Sequence, residues 1–533
     1  MDHGRVEPEP APALRRPMVA TRSKMKAVHL ILTLVMALVP AAPGEEPSRR
    51  EATDLWHEAY LVLIQAMEFE EQDQRVAADA HFRAAENLYK RISREYPDFQ
   101  PGMVASRLED LKSHISNLGT ARDGDHSKPA TIVVDPDKPS SRPGFYKDLF
   151  MDGGVSLASR RDLPAADKLG LAYEFYAGDD PEDQRRIIGG DESDHNGTLL
   201  YSDGAPRFQM IYVNGGQATK HGLSLGEPAL ERYRQHNREG GAYCGTCAGA
   251  FFACFNTNDN EGAREGYLHI FPYKTKNTGI SSQEVSQVIP GGSPLLHYHD
   301  FGGDYLVTDV YHNGGNWIPL DEVNCFPAVE VLATYSVPGH LIDGGAAIWS
   351  YRKSDEHGRV VSVGSHPEGE TGGEIRDLLE ACFLYTLEGV GKAKTKGRLI
   401  PGETRLMNRS TLDEDPLHTK IGDGQVHYFE IIVPEETPSM HLKIEGASGF
   451  DFHFYLNQGE MDLTIPTEVA DREAGSVKSL VRTMKPGKWI LAVECANRVK
   501  TEIREKPDST YFEVIANREM LNGVDYGISL EFR

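Results

Sequence analysis

The sequence predicts a chain of several structural units: a short α-helical hairpin region, then an α/β core, then an all-β sandwich. Three observations carry this reading. Before residue 118, apolar residues recur at spacings of three and four. Between 144 and 390, strand-like and helix-like segments alternate. After 391, β-rich runs follow one another with Gly, Pro, Asn and Asp turns between them. With 533 residues the chain exceeds what one hydrophobic core serves, so roughly two to four units are expected.

The first element is a leader over residues 1–44. Lys24 and Lys26 precede an apolar run over 28–39, and Ala41, Ala42 and Gly44 follow it. That run is too short for a stable bilayer anchor and has the layout of a secretory signal peptide, with cleavage after Ala41 or Gly44. Met25 is an alternative start, and a buried or interfacial helix is the alternative structure. The expectation is a protein secreted or held in the periplasm or cell envelope, with no transmembrane span after leader removal.

Residues 48–118 read as helices. Over 55–70 the apolar positions are Leu55, Ala59, Val62, Ala66 and Phe69. Over 75–95, Ala78, Phe82, Ala85, Leu88, Tyr89 and Ile92 share one side, and Tyr96-Pro97 ends the run. A third helix is expected over about 104–118. Ala85, Tyr89, Ile92 and Pro97 resemble the small, aromatic and Pro positions of a single tetratricopeptide-type hairpin; a plain helical pair is the alternative. Residues 119–143, rich in Asp, Lys, Ser and Pro, read as a linker.

In the α/β region, 144–390, strands are expected over 208–213, 242–244, 329–335, 346–351 and 360–364, and helices over 225–238, 248–255 and 374–387. Ligand sites in such sheets lie beyond the carboxyl ends of the strands. The acidic runs 179–183 and 191–194 read as loop surface. In the tail, 391–533, strands are expected over 426–433, 440–445, 450–456, 488–493, 510–515 and 526–532, with a helix over 473–483 as the exception.

The formal charge of −24 argues against nucleic acid or anionic membranes as partners, and no basic tract with interleaved aromatics occurs. The six cysteines, Cys244, Cys247, Cys254, Cys325, Cys382 and Cys495, show no dense disulfide spacing.

The chemistry concentrates in two segments. Gly245-Thr246-Cys247-Ala248-Gly249, between a strand and a helix, has the form of a nucleophile elbow, with flanking glycines that permit a sharp turn. Ser365-His366-Pro367-Glu368 supplies a base and an acid two residues apart. Cys247 is the expected nucleophile, His366 the general base and acid, and Glu368 the group that orients the imidazole. Backbone N–H groups of Ala248 and Gly216 are the expected oxyanion donors. Asp152, Arg160, with Arg161 beside it, and His312 are candidates for substrate binding, and His312-Asn313-Gly314-Gly315 otherwise reads as a structural turn near the site. The reaction calls for no cofactor and no metal.

These residues, with Val213-Asn214-Gly215-Gly216, resemble class I glutamine amidotransferase-like domains, and more closely the amino-terminal domain of eukaryotic biotin–protein ligases and its bacterial relatives. The resemblance covers about 145–390 and implies a flavodoxin-like sheet with Cys247, His366 and Glu368 as a triad. It departs at Asn214 and in a His-rich insertion. No ligase or synthase domain accompanies it, so neither biotinylation nor glutamine-fed synthesis is implied. Tyr428-Phe429-Glu430, 450–456, Gly487-Lys488-Trp489-Ile490 and Tyr526-Gly527-Ile528 resemble the bacterial pre-peptidase carboxy-terminal domain, a non-catalytic companion of secreted hydrolases.

The expected function is an exported cysteine amidase or peptidase acting on a small amide or peptide through a thioester. The helical and β-sandwich regions are expected to contact protein or glycan. Three rival readings accompany it. One is a non-catalytic envelope-associated binding protein with a degenerate core. Another is a metal-dependent hydrolase using His297, His299 and His312, with His297 and His299 on one face of an extended strand. The third is a redox pair of Cys244 and Cys247.

Overall fold

The computed structural model describes residues 75–533 except Asp98, 121–134, Asp259, 411–414, 437–438, 461–462 and 464–466, together with scattered helical positions between Ala52 and Met67. The leader, Phe69 and most of the linker lie outside the described residues. The chain divides into two compact units, Met1–Pro129 and Ala130–Arg533. Among the described residues, no helix is long and apolar enough to cross a membrane.

In the first unit, Arg75–Glu95 and Pro101–Thr120 are helices. The first stops before Tyr96-Pro97 because Pro disfavours helical backbone in the residue preceding it. The second starts on a proline, whose missing N–H costs nothing in a first turn. Ala78, Phe82, Ala85, Tyr89 and Ile92 are buried with Trp56, Ala59, Leu63, Ala66, Val104 and Leu111. The expected stripe through Leu55 and Val62 is thus displaced by one position, since both are only partly buried. The Trp56 indole decides the face, meeting Tyr89 edge-on at 5.0 Å.

In the second unit, strands β1 (Lys147–Gly153), β2 (Tyr173–Gly178), β3 (Phe208–Val213) and β4 (Ala242–Thr246) lie in the spatial order β2-β1-β3-β4, followed by Val360–Val363, all parallel. Side chains alternate between two cores: Phe150, Ile211 and Tyr243 enter one, and Leu149, Met151, Met210, Tyr212 and Cys244 enter the other. This is the period-two geometry of a sheet covered on both faces. The helix Ala218–Arg238 bends at Gly226 (φ 73), two residues before Pro228, and supplies Leu225, Leu230 and Tyr233 to the first core. Gly373–Glu388 supplies Leu378, Cys382 and Phe383 to the second.

Beyond Val360–Val363 the sheet continues antiparallel through Ala346–Tyr351, Val329–Ser336, Gln283–Val288 and Leu306–His312. On its other edge, Ser509–Ala516 pairs antiparallel with β2 and carries Lys500–Glu505 outside it, making eleven strands. The tail therefore does not keep all its strands to itself. The remaining tail strands form a five-stranded and a four-stranded sheet that share one apolar core through Phe429, Ile431, Leu491 and Val493 on one side and Leu442, Ile444, Ile528 and Leu530 on the other, a sandwich-like arrangement. Residues 473–483 are not helical: Val477–Thr483 is an edge strand paired with Ser439–Gly446, where β-branched Val477, Val481 and Thr483 favour extended backbone.

The donated hairpin is held by charge. Asp183 accepts from Lys506 and from Ser509 Oγ at 3.1 Å, and Arg161 pairs with Glu505 at 2.8 Å and donates to Thr510 at 2.6 Å. At Gly178 a Cβ would stand 2.3 Å from the Asp508 carbonyl, so the hairpin reaches the sheet only over a glycine. The acidic run 179–183 is therefore not simple loop surface: Asp180 caps the helix Pro181–Gly189 and Asp183 is buried. Asp135–Pro143, read as linker, packs on this unit, since Ser140 and Ser141 hydroxyls donate to buried Asp148 at 2.8 Å.

Buried histidines, His236 and His427 among them, are expected to make the second unit acid-labile. Burial lowers His236 from 6.5 to about 4; burial, then Lys396, lowers His427 likewise to about 4. The unfolded chain binds more protons than the folded one below 6.5, so stability falls with falling pH. A loss on the order of 3 kcal/mol per histidine is expected as pH drops from about 6.5 to about 4. Urea midpoints measured across that window check it, with His236→Asn flattening the slope.

Candidate functional site

Strand β4 runs into the helix Ala248–Ala253 through Cys247, which sits at φ 44, ψ −99. A non-glycine residue is strained there, and its neighbours show what holds it. A Cβ at Gly245 would stand 2.4 Å from the Gly249 carbonyl carbon, and one at Gly249 would stand 2.2 Å from the Val213 oxygen. The Cys247 N–H donates to Val363 O at 2.8 Å, tying the turn to the strand that leads to His366. Strand, turn and helix thus close on themselves only with glycine at both positions.

After Val360–Val363 the chain enters a short turn, Pro367–Gly369, which brings the Glu368 carboxylate back to His366: Nδ1 and Oε1 are 3.1 Å apart. The His366 backbone N–H donates to Tyr311 O at 2.9 Å, and its ring lies close enough to Cys247 for the sulfur to act on its charge. Burial disfavours the imidazolium, but the Cys247 sulfur and the Glu368 carboxylate outweigh it and hold His366 well above the usual imidazole range. Burial likewise opposes the Glu368 charge, yet His366, and to a smaller degree Arg160, keep the carboxyl below its ordinary range. The arrangement suits proton exchange between sulfur and ring, with a fixed anion behind the ring.

The glycine turn after β3 touches this group directly. A Cβ at Gly215 would stand 2.3 Å from His366 Cε1 and 3.2 Å from Glu368 Oε1. Gly216 (φ 143) bridges to Leu157, but the bonds of that bridge run from Ala158 to Gly215 and from Gln217 to Ser156, leaving the Gly216 N–H outside it. Ala248 opens its helix, so its N–H is one of the first-turn donors without an intrahelical acceptor.

His312 is fully buried rather than lining an opening. Its Nε2 meets Thr278 Oγ1 at 2.7 Å and its Nδ1 meets Ser365 Oγ at 3.0 Å, while Gln287 donates to the same Ser365 oxygen at 3.0 Å. Burial, then the nearby His366, lowers its pKa to about 3. It therefore works as a neutral brace beneath Ser365 and the turn carrying His366. The next residue, Asn313, places its carbonyl 3.7 Å from Cys247 Sγ. The sequence flagged the His312-Asn313-Gly314-Gly315 turn but carried no signal for the roles of Gln287 or Thr278.

Asp152, at the end of β1, is also fully buried. It accepts from the Gly154 N–H at 2.9 Å and from Tyr233, and it faces His221 Nε2 at 3.1 Å. It holds the loop after β1 and presents no carboxylate to solvent. Arg161 is engaged by the tail hairpin. Arg160 lies beside Gly369, its Nη1 3.4 Å from where a Cβ on that glycine would be.

Cys244 points away from the elbow: it packs with Cys382 and Thr386 of the helix Gly373–Glu388, and burial pushes its thiol well up. All six cysteines are free thiols. Cys325 is exposed, and the other five are buried. The His-rich insertion is not an extended strand, for Pro294–His297 and Phe301–Gly303 are 3₁₀ turns. Among the described residues, the group with metal-like spacing is His299, Asp377 and Glu380, without His297 or His312. Arg376 already lies 2.7 Å from Glu380 and 3.1 Å from Asp377.

No family model matches the chain, and no curated protein matches it. Solved structures give weak likenesses. The pre-peptidase C-terminal domain of collagenase from Bacillus anthracis aligns over all of its own length and 26% of this chain, at 13% identity and a TM-score of 0.17. PliG of Aeromonas hydrophila, a periplasmic inhibitor of g-type lysozyme, aligns over the same shares at 6% identity and 0.16. Tripeptidyl peptidase 2 aligns over 62% of this chain but 28% of its own, at 9% identity and 0.15.

Proposed function

We propose that the protein is an exported cysteine-dependent amidase or peptidase with a class I amidotransferase-like, flavodoxin-like core. The observation that carries the reading is Cys247 at φ 44, close enough to the ring of His366 to favour its charged form, with His366 Nδ1 3.1 Å from Glu368 Oε1. The parallel strand order β2-β1-β3-β4 followed by Val360–Val363 supports the flavodoxin-like assignment, because that topology places ligands beyond the carboxyl ends of its strands. In the reaction, Cys247 gives its proton to His366 and its sulfur attacks the substrate carbonyl. The N–H groups of Gly216 and Ala248 receive the developing oxyanion, a contribution of about 3 kcal/mol for each such donor. The protonated imidazole then passes its proton to the leaving amine. Water, deprotonated by His366, cleaves the thioester and frees the thiol.

The substrate is a small amide or peptide met outside the cytoplasm. Purified exported protein is expected to hydrolyse at least one of glutamine, γ-glutamyl compounds or short peptides, and Cys247→Ala is expected to abolish that turnover. Turnover unchanged in Cys247→Ala overturns the proposal. The near-complete burial of Cys247, 4% exposed, favours one second reading, a non-catalytic envelope protein that binds protein or glycan through its helical and β-rich regions. It predicts a Cys247 that alkylates no faster than a free peptide cysteine.

A further inference from the structure

Arg160, beside the candidate triad, and Glu368, within it, each carry a buried atom with no hydrogen-bond partner among the described residues: Nε of Arg160 and Oε2 of Glu368. One is a donor with nothing to donate to, and the other an acceptor with nothing to accept. Each such atom is costly to bury alone. They come from segments in contact. Arg160 belongs to the loop after β1, which is stitched to the glycine turn by Ala158 N–H to Gly215 O at 2.8 Å and Asn214 Nδ2 to Ala158 O at 3.0 Å. Gly369 follows Glu368 directly, and its missing side chain leaves the Arg160 guanidinium lying against the turn that carries the carboxylate. The ion partner of Arg160 is Asp162, 3.9 Å away and mostly exposed, so little of the guanidinium's charge is spent there.

Resting on the triad reading, we propose that Arg160 is a positioning residue: its guanidinium closes on Glu368 Oε2, directly or across one water molecule, and fixes Oε1 on His366 Nδ1. Without that partner, rotation about the carboxylate bond exchanges the two oxygens, and the imidazole loses its fixed orienter. The Arg160 charge also favours the ionised carboxylate, so its removal lets Glu368 protonate at higher pH and release His366 there.

The test uses the full exported chain and iodoacetamide, following Cys247 alkylation by peptide mass spectrometry as pH is varied. Arg160→Met is expected to move the acid limb of the rate profile upward by about one pH unit, the size of effect a neighbouring charge exerts. Arg160→Lys, which keeps the charge, is expected to restore most of the shift. An unmoved limb in Arg160→Met overturns the proposal. So does a uniform loss of rate at every pH that Arg160→Lys shares, which marks a merely structural role. A wild-type Cys247 that alkylates like a free peptide cysteine overturns the triad reading instead, and a wild-type Cys247 that alkylates rapidly beside an unmoved Arg160→Met limb overturns the Arg160 role alone.

Discussion

Gly215→Ala is expected to lower both Cys247 alkylation and turnover of any amide substrate by about 100-fold, the cost of misplacing a reacting group by about 1 Å. The nearest atoms to the added methyl are His366 Cε1 at 2.3 Å and Nδ1 at 2.5 Å, then Glu368 Oε1 at 3.2 Å. All three belong to side chains of the candidate triad. The imidazole has little room to yield, since its turn is tied through the His366 N–H to Tyr311 and Ser365 is braced by His312 and Gln287. Gly215 does not use positive φ, so the backbone accepts alanine, and the stability cost should stay within about 1–3 kcal/mol of overpacking. The signature is therefore lost chemistry in a folded protein. Gly215→Ala protein with unchanged alkylation and turnover shows that the ring shifts without consequence, and the geometry then carries no catalytic weight.

That glycine also marks how far the sequence could be read. Asn214-Gly215-Gly216 announces a tight turn after an apolar strand, but which glycine serves which purpose depends on what packs against it. Gly216 takes positive φ at the bridge to Leu157, whereas Gly215 is small because an imidazole occupies its Cβ space. Only the second reason concerns chemistry, and it involves residues about 150 positions away. Local signals located strands well where apolar runs are bounded by turn residues: Phe208–Val213, Ala346–Tyr351, Val426–Val433 and Tyr526–Phe532 have the bounds expected of them. The meeting of His366 with Glu368 is equally local, being a turn of two residues around Pro367.

What was not legible depends on partners far along the chain. Ser509–Ala516 reads as a strand from its composition, but composition does not say which sheet it joins; pairing with β2 follows from Asp183, Gly178 and Arg161, all more than 300 residues earlier. Val477–Thr483 carries no clear strand pattern, because an exposed edge strand buries little of its side-chain surface. The histidines misled in a similar way. His297, His299 and His312 are close enough in sequence to suggest one site, yet two 3₁₀ turns and a strand send them to different surroundings, with His312 buried as a neutral brace. Residue type proposes a chemistry; burial and hydrogen-bond partners decide whether the group is available for it.

The largest stability effect is expected at the junction between the α/β sheet and the tail. Arg207, next to β3, donates to both carboxylate oxygens of Asp423, at 3.1 and 2.9 Å, and both side chains are almost wholly shielded from solvent. The guanidinium also donates to the Thr198 carbonyl at 3.0 Å and lies 4.1 Å from the centre of the Tyr146 ring. Asp423→Ala leaves that cation buried without its anion, and breaking a buried pair from one side costs about 3–5 kcal/mol. The paired change Arg207→Met with Asp423→Ala removes both charges and is expected to recover part of the loss, because the greater cost lies in the orphaned charge rather than in the missing attraction. Urea titrations of the wild type, both single variants and the double variant give the cycle. If Asp423→Ala shifts the midpoint no further than a surface substitution does, solvent reaches Arg207 and the junction is looser than its geometry. If the double variant is as damaged as Asp423→Ala, the pair itself holds the tail on the sheet, and its charges act as a clamp rather than as a tolerated burden.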